Sequence, residues 1–397
     1  MPSYKKDFFS HLAQTSPAPL SLEIISAKGI FLQDISGKKY MDLISGIAVS
    51  NLGHGHPQIV KAIKEQAGKY AHLMVYGEYI QAPQVRFAKS LCEHLPKNLN
   101  SVYFVNSGSE ATEGALKLAK RFTKRTEIIS FTNAYHGSTH GALSVMGDET
   151  LKNPFRPLLP GIRILKHGFD KDLAHISKRT ACLIIEPIQG EAGIMVPDKS
   201  YLQAIRKRCN ETGALLILDE IQTGMGRTGK LFAFEHFGIT PDIILLGKAL
   251  GGGLPVGAFI TDRKVMSCLS DDPALGHITT FGGHPLSCAA GDAALSALLK
   301  SKLVASVSSK EKLFKSLLKH KAINEIRGKG LMLALQFKDE LFCKKVIENC
   351  LKNGIIVDWF LFSPSSMRLA PPLIITEKEI KQACTKIILS IEQSLQP

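Results

Sequence analysis

Lys248 is the only charged residue between Asp242 and Asp262, and it follows directly on Ile243-Ile244-Leu245-Leu246-Gly247. Four consecutive apolar residues bounded by Pro241-Asp242 and a glycine predict a short strand buried on both faces. A lysine at the end of such a strand loses hydration, and desolvation lowers its pKa toward a neutral, nucleophilic amine. Gly251, Gly252 and Gly253 then remove side chains where a flat ligand or another backbone could approach. For this segment alone, the alternative is a surface lysine snorkelling at a strand end.

A second chemical feature is an anion site. Ser101–Val105 predicts a strand, and Asn106-Ser107-Gly108-Ser109-Glu110 opens a helix in which Ser107 and Glu110 have capping-box spacing. Free backbone N–H groups and the positive end of the helix dipole converge at such a turn. Neither G-x-x-x-x-G-K-[ST] nor G-x-G-x-x-G occurs here, so a single phosphate suits it better than a nucleoside triphosphate or dinucleotide. An ordinary capped helix is the alternative.

Further buried strands are predicted at Ile128–Phe131, Cys182–Ile185 and Leu215–Leu218. The first leads to Tyr135 and His136, where a tyrosine among small residues can lie flat on an aromatic ligand. The second leads to Glu186, the third to Asp219 and then Gln222. Strands alternating with helical patterns imply a parallel sheet whose ligands sit beyond the strand C-termini. A buried Asp219 there needs a cationic partner. From about Asp292 the pattern becomes α+β, and Arg368 precedes Ala370-Pro371-Pro372 as either a rigid carboxylate clamp or a surface arginine. At the other end, Gly29–Leu32 and Lys39–Leu43 flank the turn Asp34-Ile35-Ser36-Gly37, which predicts a hairpin. His54 and His56 lack a third ligand nearby, so a loop fits them better than a metal site.

Composition bounds these readings. With 397 residues, two or three structural units are expected, and 45% apolar with 21% charged residues is ordinary for a globular protein. The N-terminus lacks the apolar run of a secretory signal. Eight scattered cysteines without a C-x-x-C pair suit a reducing cytoplasm. The Gly-rich stretch Ile243–Thr261 fits two strands and a turn better than a membrane helix. A net charge of +14 raises nucleic-acid binding, but the lysines between 300 and 321 lie on an amphipathic helical pattern whose basic face is solvated.

The motifs N-S-G-S-E-A, E-P-I-Q-G-E-A-G, L-D-E-I-Q-T-G-M-G-R-T-G, G-K-A-L-G-G-G and R-L-A-P-P occur in this order. Together they resemble the class III aminotransferases over about Gly29 to Pro372, and S-G-I-A-V with G-H-G-H-P is similar to the acetylornithine and ornithine branch. The resemblance implies an α/β protein of fold type I, with a large domain built on a mostly parallel seven-stranded sheet and a smaller α+β domain. The corresponding division is an N-terminal arm and small-domain segment at 1–45, a pyridoxal-phosphate-binding domain at 46–291, and a C-terminal small domain at 292–397. It implies transfer of an amino group from an ω-amino donor to a keto acid, α-ketoglutarate foremost, with pyridoxal 5′-phosphate as cofactor. Lys248 would bond the cofactor covalently and later move a proton; Asp219 would pair with the pyridine nitrogen. Gln222 would meet the phenolic oxygen, Tyr135 would stack on the ring, and His136 and Glu186 would complete the cofactor site. Ser107, Gly108 and Ser109 would hold the phosphate, joined by Thr280 of a second copy across a homodimer interface. Glu191 would pair with Arg368 and release it to grip a substrate carboxylate. Neither a metal, nor nucleic acid, nor a membrane belongs to this picture.

Two substrate-side positions depart from the branch. Ser138 stands where relatives acting on ornithine derivatives read H-G-R-T, and Ile47 stands where an ornithine aminotransferase would carry tyrosine. The implied donors therefore span acylornithine, ornithine, other ω-amino acids and diamines. The other readings are an aminomutase, which needs no external keto acid, and a non-enzymatic anion or nucleic-acid binder.

Overall fold

The computed structural model describes residues 3–271 and 273–396. The N-terminal segment folds around the predicted turn: β1 (Ile24–Lys28), β2 (Phe31–Asp34) and β3 (Lys39–Asp42) form an antiparallel meander. Asp34 closes that turn by accepting the N–H groups of Ser36 at 3.0 Å and Lys38 at 2.9 Å, the local bond that favours Asp in turns.

The large sheet comprises β4 (Ser101–Val105), β5 (Glu127–Phe131), β6 (Ile162–Leu165), β7 (Thr180–Ile185), β8 (Leu215–Asp219), β9 (Ile243–Leu246) and β10 (Gly257–Thr261). Its order is β4-β10-β9-β8-β7-β5-β6, and β10 alone runs antiparallel to its neighbours. All four residues of β9 are completely buried. Each such side chain contributes roughly 1.5–3 kcal/mol relative to exposure, so the strand that carries Lys248 is anchored firmly. The helix Gly108–Thr123 lies across β9 and β10 and buries Ala111, Ala115, Leu118 and Ala119, with Phe122 half-buried. Gly114 is required there, because a Cβ would collide with the ring of Phe259 on β10.

In the C-terminal part, β11 (Glu325–Gly328), β12 (Leu333–Gln336), β13 (Ile355–Ile356), β14 (Asp358–Phe360) and β15 (Ser363–Leu369) follow the lysine-rich helix Leu303–Leu317. That helix buries Val307 and Phe314; Lys312 is exposed, whereas Lys310 and Lys315 are half-buried and donate to the carbonyls of Leu373 at 2.5 Å and Gly328 at 3.2 Å, so the expected solvated basic face is only partly formed. Four of these strands form an antiparallel sheet in the order β11-β12-β15-β14. β13 leaves it and pairs in parallel with β3, Ile355 against Met41, so the beginning and end of the chain share a sheet.

Arg227 ties three segments together. It is fully buried, and Nη1 donates to the carbonyls of Leu331 at 2.9 Å and Pro371 at 2.5 Å, while Nη2 donates to Asn51 Oδ1. Burial draws its guanidinium down to about 9, which leaves it charged at neutral pH. Among the described residues no helix is long and apolar enough to cross a membrane.

Candidate active site

Parallel pairing delivers the chemically active residues to one edge. β7, β8 and β9 are consecutive neighbours in register, Ile185 beside Leu218 and Asp219 beside Leu245. Glu186, Asp219 and Lys248 therefore emerge side by side at the strand C-termini. β4 runs in the same direction as β9, since both pair antiparallel with β10, and it brings the helix N-terminus at Gly108 to the same edge. The turn after β5 adds Tyr135 and His136. These residues, with Ser109, Gln222 and Glu191, line one cavity.

The floor of the cavity is a buried pair. His136 Nδ1 lies 2.7 Å from Asp219 Oδ2, and Asp219 Oδ1 accepts the N–H of Ile221 at 3.0 Å. The backbone carbonyl of His136 is held by Thr112 Oγ1 at 2.9 Å, while its Nε2 is buried without a partner. Glu186 fixes two turns at once, accepting the N–H of Tyr135 at 3.0 Å and of Gly190 at 2.6 Å. Burial pushes its carboxyl up to about 7, with His136 opposing and Asp219 adding to the shift. A Cβ at Gly190 would strike the amide oxygen of Gln222 and push that side chain out of its place in the cavity.

Lys248 occupies a left-handed backbone conformation, φ 48°, which costs a non-glycine residue of order 1–3 kcal/mol and is found at functional positions. Burial lowers its pKa below the usual lysine range, against the opposing pull of Glu191 and Asp219. Its amine makes no hydrogen bond or ion pair with the described residues. Packed against Lys248–Gly251 is a second strained element, in which Ser45, Gly46, Ile47 and Ala48 all have φ between 52° and 63°. Asp42 Oδ1 holds this left-handed turn by accepting the N–H groups of Ile44 and Ser45, and Ser45 Oγ donates to the carbonyl of Ala370 at 2.7 Å.

At the cavity edge, Glu191 accepts Arg368 Nη2 with both carboxylate oxygens at 2.8 Å. Arg368 is 3% exposed. Asp358 approaches it from the other side, Oδ1 at 3.3 Å from Nε, and the Phe360 ring lies 4.5 Å below the guanidinium carbon.

The residues singled out from the sequence do not all meet in the cavity. Lys248, Asp219, Gln222, Gly108, Ser109, Tyr135, His136, Glu186 and Glu191 line it together. Ser107 instead caps the helix, its Oγ accepting the Glu110 N–H at 3.1 Å; the Glu110 carboxylate reaches back to Asn106 rather than completing a box with Ser107. Ser138 is exposed, with Oγ 3.1 Å from the Tyr135 hydroxyl. Ile47 is half-buried in the strained turn, and Thr280 is exposed on a loop outside the cavity. His54 does not act with His56: its Nε2 pairs with Asp42 at 2.8 Å. Sequence reasoning missed Asp358 and the apolar wall of Ile188 and Ile221. A lone acid in the apolar run Ile355–Phe362 was the available signal for Asp358.

Pyridoxal phosphate presents a phosphate, a pyridine nitrogen, a phenolic oxygen and an aldehyde, and the cavity suits each. The Gly108–Ser109 helix terminus offers unpaired N–H groups, Asp219 a buried carboxylate, and Lys248 a desolvated amine. Gln222 brings a side-chain amide whose Oε1 is buried without a partner. The family described as Aminotransferase class-III matches residues 13–391. An acetylornithine aminotransferase of Methanopyrus kandleri is 40% identical over 390 residues, covering 97% of each chain. A succinylornithine transaminase of Yersinia pseudotuberculosis is 39% identical over 402 residues, 96% of this chain and 94% of that one. Among solved structures, an ornithine aminotransferase from Toxoplasma gondii superposes with a TM-score of 0.91 at 31% identity, covering 99% of this chain and 96% of the other. With a family match over nearly the whole chain and relatives at 39–40% identity over more than nine-tenths of it, the chain belongs to the class III aminotransferases, enzymes that depend on pyridoxal phosphate.

Proposed function

We propose that this transaminase takes the amino group of an ω-amino donor, acetylornithine, ornithine or a related ω-amino acid, and passes it to a keto acid, α-ketoglutarate foremost. The observation that carries this reading is Arg368 closed on Glu191 at 2.8 Å at the edge of the Lys248 cavity. A guanidinium covered by a carboxylate leaves the pocket neutral for an amine whose reacting end lacks a carboxylate. Moving Glu191 aside exposes a bidentate carboxylate ligand for a dicarboxylic keto acid.

Each side chain has a distinct role in this reading. Lys248 would hold the cofactor through Nζ, and the same amine is placed to move a proton at the substrate carbon. Asp219, oriented by His136, would pair with the pyridine nitrogen. Gln222 would meet the phenolic oxygen, and Tyr135 would cover the ring face. Gly108 and Ser109 would hold the phosphate, with Ser107 capping their helix. Glu186 keeps the Tyr135 and Gly190 turns in register. When bound, pyridoxal phosphate supplies the electron sink that stabilises charge on the substrate carbon.

Thr280, exposed and remote from its own cavity, serves the phosphate of a second copy in a cytoplasmic homodimer. A monomer that is active at assay concentration in sedimentation would refute this. The division at 1–45, 46–291 and 292–397 gives a large cofactor domain and a small domain completed by the N-terminal segment, supported by the pairing of β13 with β3.

The exposed, short Ser138 supports a second donor class, diamines and ω-amines without a distal carboxylate. A panel of amine donors, each paired with α-ketoglutarate or pyruvate, tests the proposal. Turnover of ω-amino donors with α-ketoglutarate supports it. Amino transfer confined to pyruvate, or rearrangement of a donor without any keto acid, overturns it.

A further inference from the structure

Arg368 is held by two carboxylates that belong to different parts of the fold. Glu191 sits on the loop that follows β7 of the large sheet. Asp358 sits on β14 as the direct cross-strand partner of Arg368 on β15. The same short strand supplies Phe360, whose ring lies under the guanidinium, and the carbonyl of Trp359, which accepts Nη2 at 3.4 Å. β14 therefore moves with the arginine, whereas Glu191 reaches it from the loop after β7 and touches the β14–β15 turn, its Oε2 accepting the Leu361 N–H at 3.2 Å and its carbonyl the Phe362 N–H at 3.0 Å. Nη1 is buried without a hydrogen-bond partner.

Bidentate capture of a carboxylate needs two coplanar N–H donors held in a fixed orientation. A long arginine side chain that has just lost Glu191 keeps that orientation only if something else restrains it. Asp358 Oδ1 forms an ion pair with Nε at 3.3 Å without hydrogen-bond geometry, on a side of the guanidinium that Glu191, bound to Nη2, leaves free. Two carboxylates around one cation is a costly arrangement, and burial with repulsion from Glu191 pushes the Asp358 carboxyl up to about 6, Arg368 opposing. A carboxylate kept there against that cost has a use beyond neutralising charge that Glu191 already neutralises.

We propose that Asp358 is the fixed anchor of Arg368: it holds the guanidinium by its Nε edge, so that Nη1 and Nη2 stay aimed at an incoming carboxylate when Glu191 lets go. Asp358 is a positioning residue, acting through Arg368. The inference rests on the reading of Arg368 as the substrate-carboxylate clamp.

The test is calorimetric titration of the holoenzyme with glutarate, a dicarboxylate that has no amine or keto group to react. Asp358→Ala is expected to weaken glutarate binding about tenfold, the lower end of what a close charge pair contributes. Asp358→Asn keeps the side chain's shape and a polar oxygen beside Nε, and is expected to stay within about threefold of the wild type. The KM for α-ketoglutarate should rise in the same order. Both variants should retain the visible absorbance of bound cofactor, which reports an intact fold. A simple counter-charge would give the opposite sign, because deleting a negative charge beside the clamp strengthens anion binding. Tighter binding in either variant, or equal effects of Ala and Asn, overturns the anchor. If the alanine variant does not fold, the asparagine variant decides: binding within about threefold supports the anchor, whereas tighter binding overturns it. A wild-type enzyme that does not bind glutarate overturns the clamp reading itself, and is distinguished by leaving nothing for the variants to change.

Discussion

His136 Nδ1 and Asp219 Oδ2 meet at 2.7 Å with both side chains buried, and Nε2 on the far side of the imidazole has no partner. The histidine therefore orients one carboxylate oxygen, while Ile221 N–H holds the other at 3.0 Å. Asp219→Asn preserves shape and can keep the Ile221 N–H contact through its amide oxygen, which turns its NH₂ toward His136 Nδ1, and it removes the charge. Loss of a preorganised electrostatic partner costs activity about 10²–10³-fold. Taking away one member of a buried charge pair also costs stability, so turnover is compared at saturating cofactor and well below the variant's melting temperature. It should fall there by that factor. Wild-type turnover under those conditions would remove Asp219 from the catalytic machinery.

Lys248 is the lysine that lines the cavity, and burial depresses its pKa. Borohydride reduction of the holoenzyme followed by peptide mapping should find pyridoxyl on Lys248. Label on another lysine would sink the assignment. Lys248→Ala should lose transamination altogether.

The pH dependence of stability carries a signature of Glu186. In the unfolded chain its carboxyl titrates near 4.5, and in the fold burial moves it up to about 7. Between these values the native state binds more protons, so its contribution to stability falls as pH rises from about 4.5 through 7 and is flat above. The full difference is about 3 kcal/mol. Glu186→Gln imitates the protonated form. Apoprotein denaturation midpoints should match the wild type near pH 5, and the variant should become the more stable by pH 8. Glu220, also pushed up to about 7 by burial, titrates in both proteins and cancels in the comparison. Parallel curves would mean that Glu186 does not titrate in this range.

Much of the cavity was legible because its residues end strands that are buried on both faces. Continuous apolar runs such as Ile243–Leu246 and Leu215–Leu218 are strong signals, and the polar residues that terminate them stand out. The capped helix at Ser107 was legible for the same local reason. Long-range pairing was not. Nothing local says that Ile355 pairs with Met41, or that Asp358 faces Arg368 across two strands. The left-handed turn Ser45–Ala48 also escaped, since Ile47 and Ala48 have no intrinsic preference for positive φ. That turn is imposed by Asp42 and by the contact of Ser45 with Ala370, residues far apart in the chain.

The proposed donor range makes Ser138 the position to test for substrate preference. Its Oγ lies 3.1 Å from the Tyr135 hydroxyl and its side chain is exposed. Serine is too short to reach a carboxylate that arginine would serve from this position, and a hydrogen bond to a charged group contributes roughly 1.5–3 kcal/mol. At about 1.4 kcal/mol per tenfold, that corresponds to about 10- to 150-fold in relative efficiency. An exposed arginine is screened by solvent, which favours the lower end of the range. Ser138→Arg should therefore raise kcat/KM for acetylornithine or ornithine about tenfold relative to a diamine of similar length. The diamine has no carboxylate for the new guanidinium to hold, and its own positive charge is repelled, so its efficiency should fall or stay level. Measuring both donors with α-ketoglutarate in the same variant separates this from a general change in activity. If the ratio between donors does not move, another basic group already holds the donor carboxylate, and Ser138 has no part in choosing the substrate.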